Sequence, residues 1–324
     1  MHTLTIASLA LAIVAAAGLA AAIAFGGPVP LQPMQSVSDP FKSVDVSDLP
    51  TTQRFSARDG TQLTYRVYGK VNHADKGSVI LVHGSSSRSD SMHSLAKGFA
   101  QVGYVAYALD VRGHGQSGEK GQVAYIGQLE DDIEDFLKAS QPSGKKSLVG
   151  FSAGGGFALR FAADPRRNMF DNYLLLAPFL SQNASTYRPA SGGWASVGMP
   201  RILGLLILNR IGISSFNYLP VTAYALKPEA QKFLTPTYSY ALAMNFRPHN
   251  NYQADIAAAS VPMEVLVGQN DDQFYPDRFT QEFNFKKRAV SVSIVPATGH
   301  IDLTLTPIAV EAAVQAVERL NGVV

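Results

Sequence analysis

Gly150-Phe151-Ser152-Ala153-Gly154 reads G-x-S-x-G, the pattern of a nucleophile elbow. A serine hydroxyl is a weak nucleophile and needs both a base and a special geometry. An elbow supplies the geometry: a sharp strand-to-helix turn pushes Oγ out over the sheet edge. The chain around that turn is crowded, so the positions two before and two after the serine must be glycine or very small. Three fixed positions of this kind recur by chance in roughly one chain of this length in ten. The partners found elsewhere in the chain therefore decide.

Reactive groups gather at the carboxyl ends of strands in open parallel sheets. Four short apolar runs end in residues that could act together. Ser152 follows Ser147 to Gly150; Asp271 and Asp272 follow Val265-Leu266-Val267-Gly268; His300 follows Val290 to Val295; and His83-Gly84-Ser85 follows Ser78 to Val82. The chain order Ser, Asp, His is that of one serine-hydrolase arrangement and of neither protease order. An imidazole, which titrates near 6.5 in water, can take the proton from Ser152 Oγ and return it to a leaving group. Asp271, with Asp272 as the alternative, would hold the second imidazole nitrogen. The backbone N–H groups of Ala153 and Ser85 are candidates for the two donors that a tetrahedral oxyanion requires.

The remaining histidines are less apt. His2 and His73 fall outside the sheet, His93 within a helix and His249 in an insertion, while His83 and His114 belong to motifs with structural explanations. Asp131-Asp132 reads as a solvated helix face, since no histidine is spaced to complete a metal site. Gly154-Gly155-Gly156 lacks the Gly-Lys-Ser/Thr ending of a phosphate loop. No metal and no cofactor is expected.

The elements that must position these groups can be read from period. Phe55 to Arg58 and Gln62 to Tyr68, split by Asp59-Gly60, form a hairpin. Helical segments are expected over Ser91 to Val102, Gly127 to Ala139, Gly155 to Ala163, Pro276 to Phe285 and Pro307 to Leu320. They alternate with short apolar runs, including Val105 to Leu109 and Tyr173 to Ala177, which indicates an α/β fold with a mostly parallel sheet covered on both faces. Val290 to Val295 reads as an alternating strand. The rhythm breaks over residues 180–260, a proline-punctuated insertion rich in aromatics: Trp194, Phe216, Tyr218, Tyr224, Phe233, Tyr238, Tyr240 and Phe246.

The chain of 324 residues is 46% hydrophobic with a formal net charge of +2 and no cysteine. Disulfides and thiol chemistry are excluded, and the charge gives no case for nucleic acid. Lys145-Lys146 and Lys286-Lys287-Arg288 read as solvated surface. Residues 1–25 form an apolar segment: Thr3 to Phe25 carries no charge, and as a helix would span about 35 Å against roughly 30 Å of bilayer hydrocarbon. A retained single-span membrane anchor is the expectation, and export with cleavage near Ala24 the alternative. Residues 26–51, with Pro28, Pro30, Pro33, Pro40 and Pro50, read as an extended linker, and 52–324 as the catalytic domain.

His83-Gly84-Ser85, Asp110-Val111-Arg112-Gly113-His114-Gly115-Gln116-Ser117, the elbow, Gly268-Gln269-Asn270-Asp271 and Gly299-His300 resemble the successive motifs of the α/β-hydrolase superfamily. The nearest branch is that of monoacylglycerol lipases, lysophospholipases and serine aminopeptidase-type hydrolases. The resemblance covers about residues 52–324. It implies an eight-stranded sheet, a helical cap between strands six and seven, and Asp271 as the acid. The expected activity is serine ester hydrolysis through an acyl-Ser152 intermediate on lipid-like substrates, monoacylglycerol or lysophospholipid. Small-ester or peptide hydrolysis is the alternative within the class, and a non-catalytic, membrane-tethered binding protein the alternative outside it.

Overall fold

The computed structural model describes residues 2–34, 44–70, 75–189, 193–284 and 290–322, with side chains described from Ser8 onward. The middle of the linker (35–43), His73 and Lys286-Lys287-Arg288 lie outside the described residues.

The chain begins with helix α1 (His2–Phe25), followed by a hairpin of β1 (Gln53–Ser56) and β2 (Gln62–Tyr68). Gly60 turns it at φ 81°, a conformation open to glycine. Alternating elements then run β3 (Ser78–Val82), α2 (His93–Gln101), β4 (Val105–Leu109), α3 (Gln128–Ser140), β5 (Lys146–Phe151), α4 (Ala153–Ala163) and β6 (Asn172–Leu176). The insertion contributes β7 (Ala195–Val197), α5 (Met199–Arg210), β8 (Pro220–Tyr224), β9 (Thr237–Ser239), α6 (Tyr240–Asn245) and α7 (Tyr252–Ala258). The body resumes with β10 (Met263–Gly268), α8 (Phe279–Phe283), β11 (Ser291–Val295) and α9 (Pro307–Leu320).

Eight strands form one sheet in the order β1-β2-β4-β3-β5-β6-β10-β11. β1–β2 and β2–β4 pair antiparallel and all other neighbours parallel. Every residue of β3, β4, β6 and β10 is buried, which explains why these strands read as continuous apolar runs. β4 lies on one side of β3 and β5 on the other, so the chain reverses its direction of travel at β3. Right-handed crossovers then put α2 and α4 on opposite faces and open a crevice at the carboxyl ends of β3 and β5. α2 packs with α9 and α4 with α7.

Three local expectations need correction. In place of one helix from Pro276, the chain forms a 3₁₀ turn, Pro276–Arg278, followed by the short α8; Phe285 lies outside the described residues. β11 is an edge strand in which only Val295 is buried, so its alternating sequence does not produce alternating burial. The acidic side of α3 is not uniformly solvated. Glu130 is buried against Arg160 at 2.5 Å, and Asp132 against Arg112 at 2.7 Å. The insertion also holds a three-stranded antiparallel sheet, β7-β8-β9, beside its helices.

Candidate active site

The turn from β5 into α4 puts Ser152 at φ 54° and ψ −116°, strained for a residue with a side chain. The strain is held by neighbours: Ser152 N–H donates to Leu176 O at 2.9 Å, and Ser152 O accepts from Phe179 and Gly156 N–H. The glycines are a steric demand. A Cβ on Gly150 would lie 2.1 Å from Gly154 O, and one on Gly154 would lie 2.4 Å from His83 O.

His300 Nε2 lies 3.1 Å from Ser152 Oγ, and His300 Nδ1 lies 2.8 Å from Asp271 Oδ2. Asp271 Oδ1 accepts from the N–H groups of Gln273 and Phe274, both at 2.8 Å, so the buried carboxylate cannot swing away. The imidazole is packed between Phe151 and Phe274, with ring centroids at 4.9 and 5.1 Å. Asp272, the alternative acid, is exposed on the pocket rim and makes no bond to His300. Ser85 and Ala153 line the same cavity as Ser152 and His300. Ala153 opens α4, where the first N–H groups have no partner within the helix. The arrangement can pass a proton from a hydroxyl to an imidazole while a carboxylate steadies the resulting cation.

Residues remote in sequence hold the loop that carries Ser85. Val111 N–H donates to His83 Nε2 at 3.2 Å, which leaves the proton on Nδ1, donating to Gly84 O at 2.8 Å. Asp110 accepts from Ser89 N–H and Thr64 Oγ1, both at 2.7 Å; these bonds outweigh burial and keep its carboxyl below the usual range. Ser86 sits at φ 65° and is clamped by the cap. Its N–H donates to Tyr238 Oη at 2.6 Å and its Oγ to Thr235 O at 2.7 Å, while its carbonyl accepts from Thr235 N–H at 2.9 Å.

Tyr238 Oη also lies 2.6 Å from His114 Nε2. His114 Nδ1 faces Arg112 O at 3.2 Å, which can only accept, so Nδ1 carries the proton and Tyr238 donates to Nε2. Tyr224 packs edge-on against Tyr238, with ring centroids 4.9 Å apart, and lines the cavity beside Ser85. Burial holds both tyrosines well above the ordinary phenol range and pushes His83 and His114 below the ordinary imidazole range.

The site opens into a cavity of about 430 Å³ walled largely by the cap. Of the aromatics in the insertion, Tyr187, Trp194, Tyr224, Tyr238 and Phe246 line it. Tyr240 is buried in a separate cluster with Leu205 and Val221, and Phe216, Tyr218 and Phe233 are exposed. Arg247 and Gln182 also line the cavity. Sequence reasoning missed the structural role of Tyr238 and all of Arg247, because neither sits in a motif or at a strand end.

α1 is apolar and exposed along Ser8–Phe25, long enough to cross a membrane by length and composition. Its last turn is built into the cap. A Cβ on Gly204 of α5 would lie 2.7 Å from Ile23 Cγ1, so the two helices meet at close range. Arg201 Nε donates to Ile23 O at 2.7 Å and Nη2 to Ala24 O at 2.8 Å.

Comparison with known proteins adds family and fold. Residues 73–291 match the serine aminopeptidase S33 family. A monoacylglycerol lipase of Mycolicibacterium smegmatis is 30% identical over 124 residues, 36% of this chain and 43% of that protein. The chain thus matches less than half the length of this curated relative. A soluble variant of monoglyceride lipase from Saccharomyces cerevisiae, crystallised with a substrate analogue, superposes with a TM-score of 0.62 at 17% identity, over 86% of this chain and 97% of that one. A bacterial membrane phospholipase A superposes with a TM-score of 0.58 at 16% identity, over 99% of both chains.

Proposed function

The chain belongs to the serine aminopeptidase S33 family of α/β-hydrolases, and from that premise we propose that it hydrolyses carboxylic esters of monoacyl lipids through an acyl-Ser152 intermediate. His300 takes the Ser152 proton as Oγ attacks the ester carbonyl. Asp271 fixes the imidazole tautomer and stabilises the imidazolium. The N–H groups of Ala153 and Ser85 receive the oxyanion, each worth roughly 3–4 kcal/mol in the barrier. His300 then protonates the departing alcohol, and water repeats the sequence to release the fatty acid.

The observation that carries this reading is the Asp271–His300–Ser152 hydrogen-bond chain opening into a cap-walled cavity lined by Trp194, Ile202, Leu234 and Phe246. The monoacylglycerol lipase relative and the phospholipase A neighbour support a lipid ester as substrate. A retained anchor is favoured over cleavage, because cutting near Ala24 would remove carbonyls that Arg201 binds.

The test is a fluorophosphonate probe followed by an acyl-ester panel. The protein labels covalently, and turnover rises from acetyl and butyryl esters to long-chain monoacyl esters. Failure to label, beside a control hydrolase that does, removes the enzyme reading. A preference for acetyl esters or for aminoacyl amides replaces the lipid substrate with the small-ester or peptidase alternative.

A further inference from the structure

The substrate pocket holds a cation that ester chemistry does not use. Arg247 follows α6 and lines the cavity. Its Nη1 donates to a neutral acceptor, Gln182 Oε1, at 3.2 Å, and its Nε is buried without a hydrogen-bond partner. Arg88, the other arginine on the wall, is neutralised by Asp90 at 2.5 Å. Arg247 has no such carboxylate among the described residues; the charge acting on it most is the repelling Arg160. Burial, with that repulsion, pushes its pKa below the ordinary arginine value. The guanidinium lies 5.5 Å over the Phe179 ring, and Phe179 N–H donates to Ser152 O, so Phe179 joins this cation to the wall that carries the nucleophile.

A half-buried guanidinium with an unpartnered N–H and no counter-charge is costly in the free protein. Its fork matches the paired oxygens of a phosphate or carboxylate. We infer that Arg247 is an anion subsite of the substrate pocket and takes the phosphodiester of a lysophospholipid, so that phosphate-bearing monoacyl lipids are cleaved in preference to neutral monoacylglycerols. The inference rests on the monoacyl-ester reading above. A released fatty acid carries the same oxyanion chemistry, but its carboxyl group forms at Ser152, whereas a headgroup must lie beyond it.

The experiment compares full-length protein and its Arg247→Gln variant in one detergent, on lysophosphatidylglycerol, lysophosphatidylcholine and monoacylglycerol with the same acyl chain. The ratio of kcat/KM for either lysophospholipid to that for monoacylglycerol falls at least about 10-fold in Arg247→Gln, through KM, and Arg247→Lys recovers part of it. Equal losses on all three substrates, or no loss, overturn the subsite. A larger shift from Lys227→Met, a third cationic residue on the wall beside Arg247 and Arg88, moves it elsewhere and also overturns it. An unchanged ratio with weakened inhibition by palmitate assigns Arg247 to the product carboxylate instead. Wild-type protein that cleaves monoacylglycerol but no lysophospholipid overturns this inference and leaves the proposed function standing; wild-type protein that cleaves neither overturns both.

Discussion

The sheet body and the cap stabilise themselves in opposite ways. In the body, β3, β4, β6 and β10 bury every residue. In the cap, α5 buries only Gly204 and Leu205 and exposes Met199, Leu203 and Ile207. Body residues are fixed by close-packed neighbours on all sides, so the strained Ser152 can be held and its partners placed to within a hydrogen bond. The residues along α5 are fixed on one side only. The body therefore holds the hydrogen-bond chain of the proposed mechanism, while the cap contributes Trp194, Leu234 and Phe246 to the cavity wall. The two meet at a polar seam in which Thr235 and Tyr238 hold Ser86.

The sharpest test of this division is Ser152→Ala. Turnover falls about 10⁴-fold or more, while the melting temperature and binding of a lipid ester analogue to the cap-walled cavity stay near wild type. A variant that also loses the cavity shows that body and cap are not separable. Next is the seam. Tyr238→Phe strips a partner from Ser86 N–H and from His114 Nε2, which costs about 1–3 kcal/mol. kcat falls about 10-fold with KM changing less, as measured on a soluble ester; an unaltered kcat means that the cap does not position the loop of Ser85.

A smaller effect comes from pH. His83 and His114 have folded-state pKa values below their unfolded values. At neutral pH both states are unprotonated at these sites and the shift contributes nothing. Below about pH 6.5 the unfolded chain takes up protons that the native seam refuses, so stability declines as pH falls, by up to about 1.4 kcal/mol per pH unit for each histidine. Thermal melts between pH 7.5 and 5.5 read this, and His114→Gln flattens the slope. The smallest effect is expected at Leu203→Gln on exposed α5, where stability changes by less than about 0.5 kcal/mol. Destabilisation well beyond that shows that α5 is packed like the body.

The same division governs what could be read from the chain. Buried parallel strands leave apolar runs in the sequence, and Ser152 and Asp271 follow the ends of two of them, β5 and β10; His300 follows the exposed edge strand β11, whose alternating sequence is a weaker signal. Between Asp271 and Asp272 the sequence offered only spacing; burial and the Gln273 and Phe274 N–H groups separate them in the structure. Asp132 misled because an acidic helix face looks alike whether it meets water or Arg112, which reaches it from a loop 20 residues away. Tyr238 lies 152 residues from Ser86 and Arg247 lies outside any motif, so no local period could announce either.

α1 does not join the sheet; it ends against Gly204 and Arg201 of α5, and the chain after it runs along the cap, with Val29 N–H on Ser196 Oγ and Met34 N–H on Ala225 O. A mechanical load carried by α1 therefore enters the molecule through the roof of the pocket before it reaches the floor where Ser152 sits. With α1 set in a bilayer, lateral tension or a change in lipid thickness would act first on the shape of the cavity, as a lever acts on a lid.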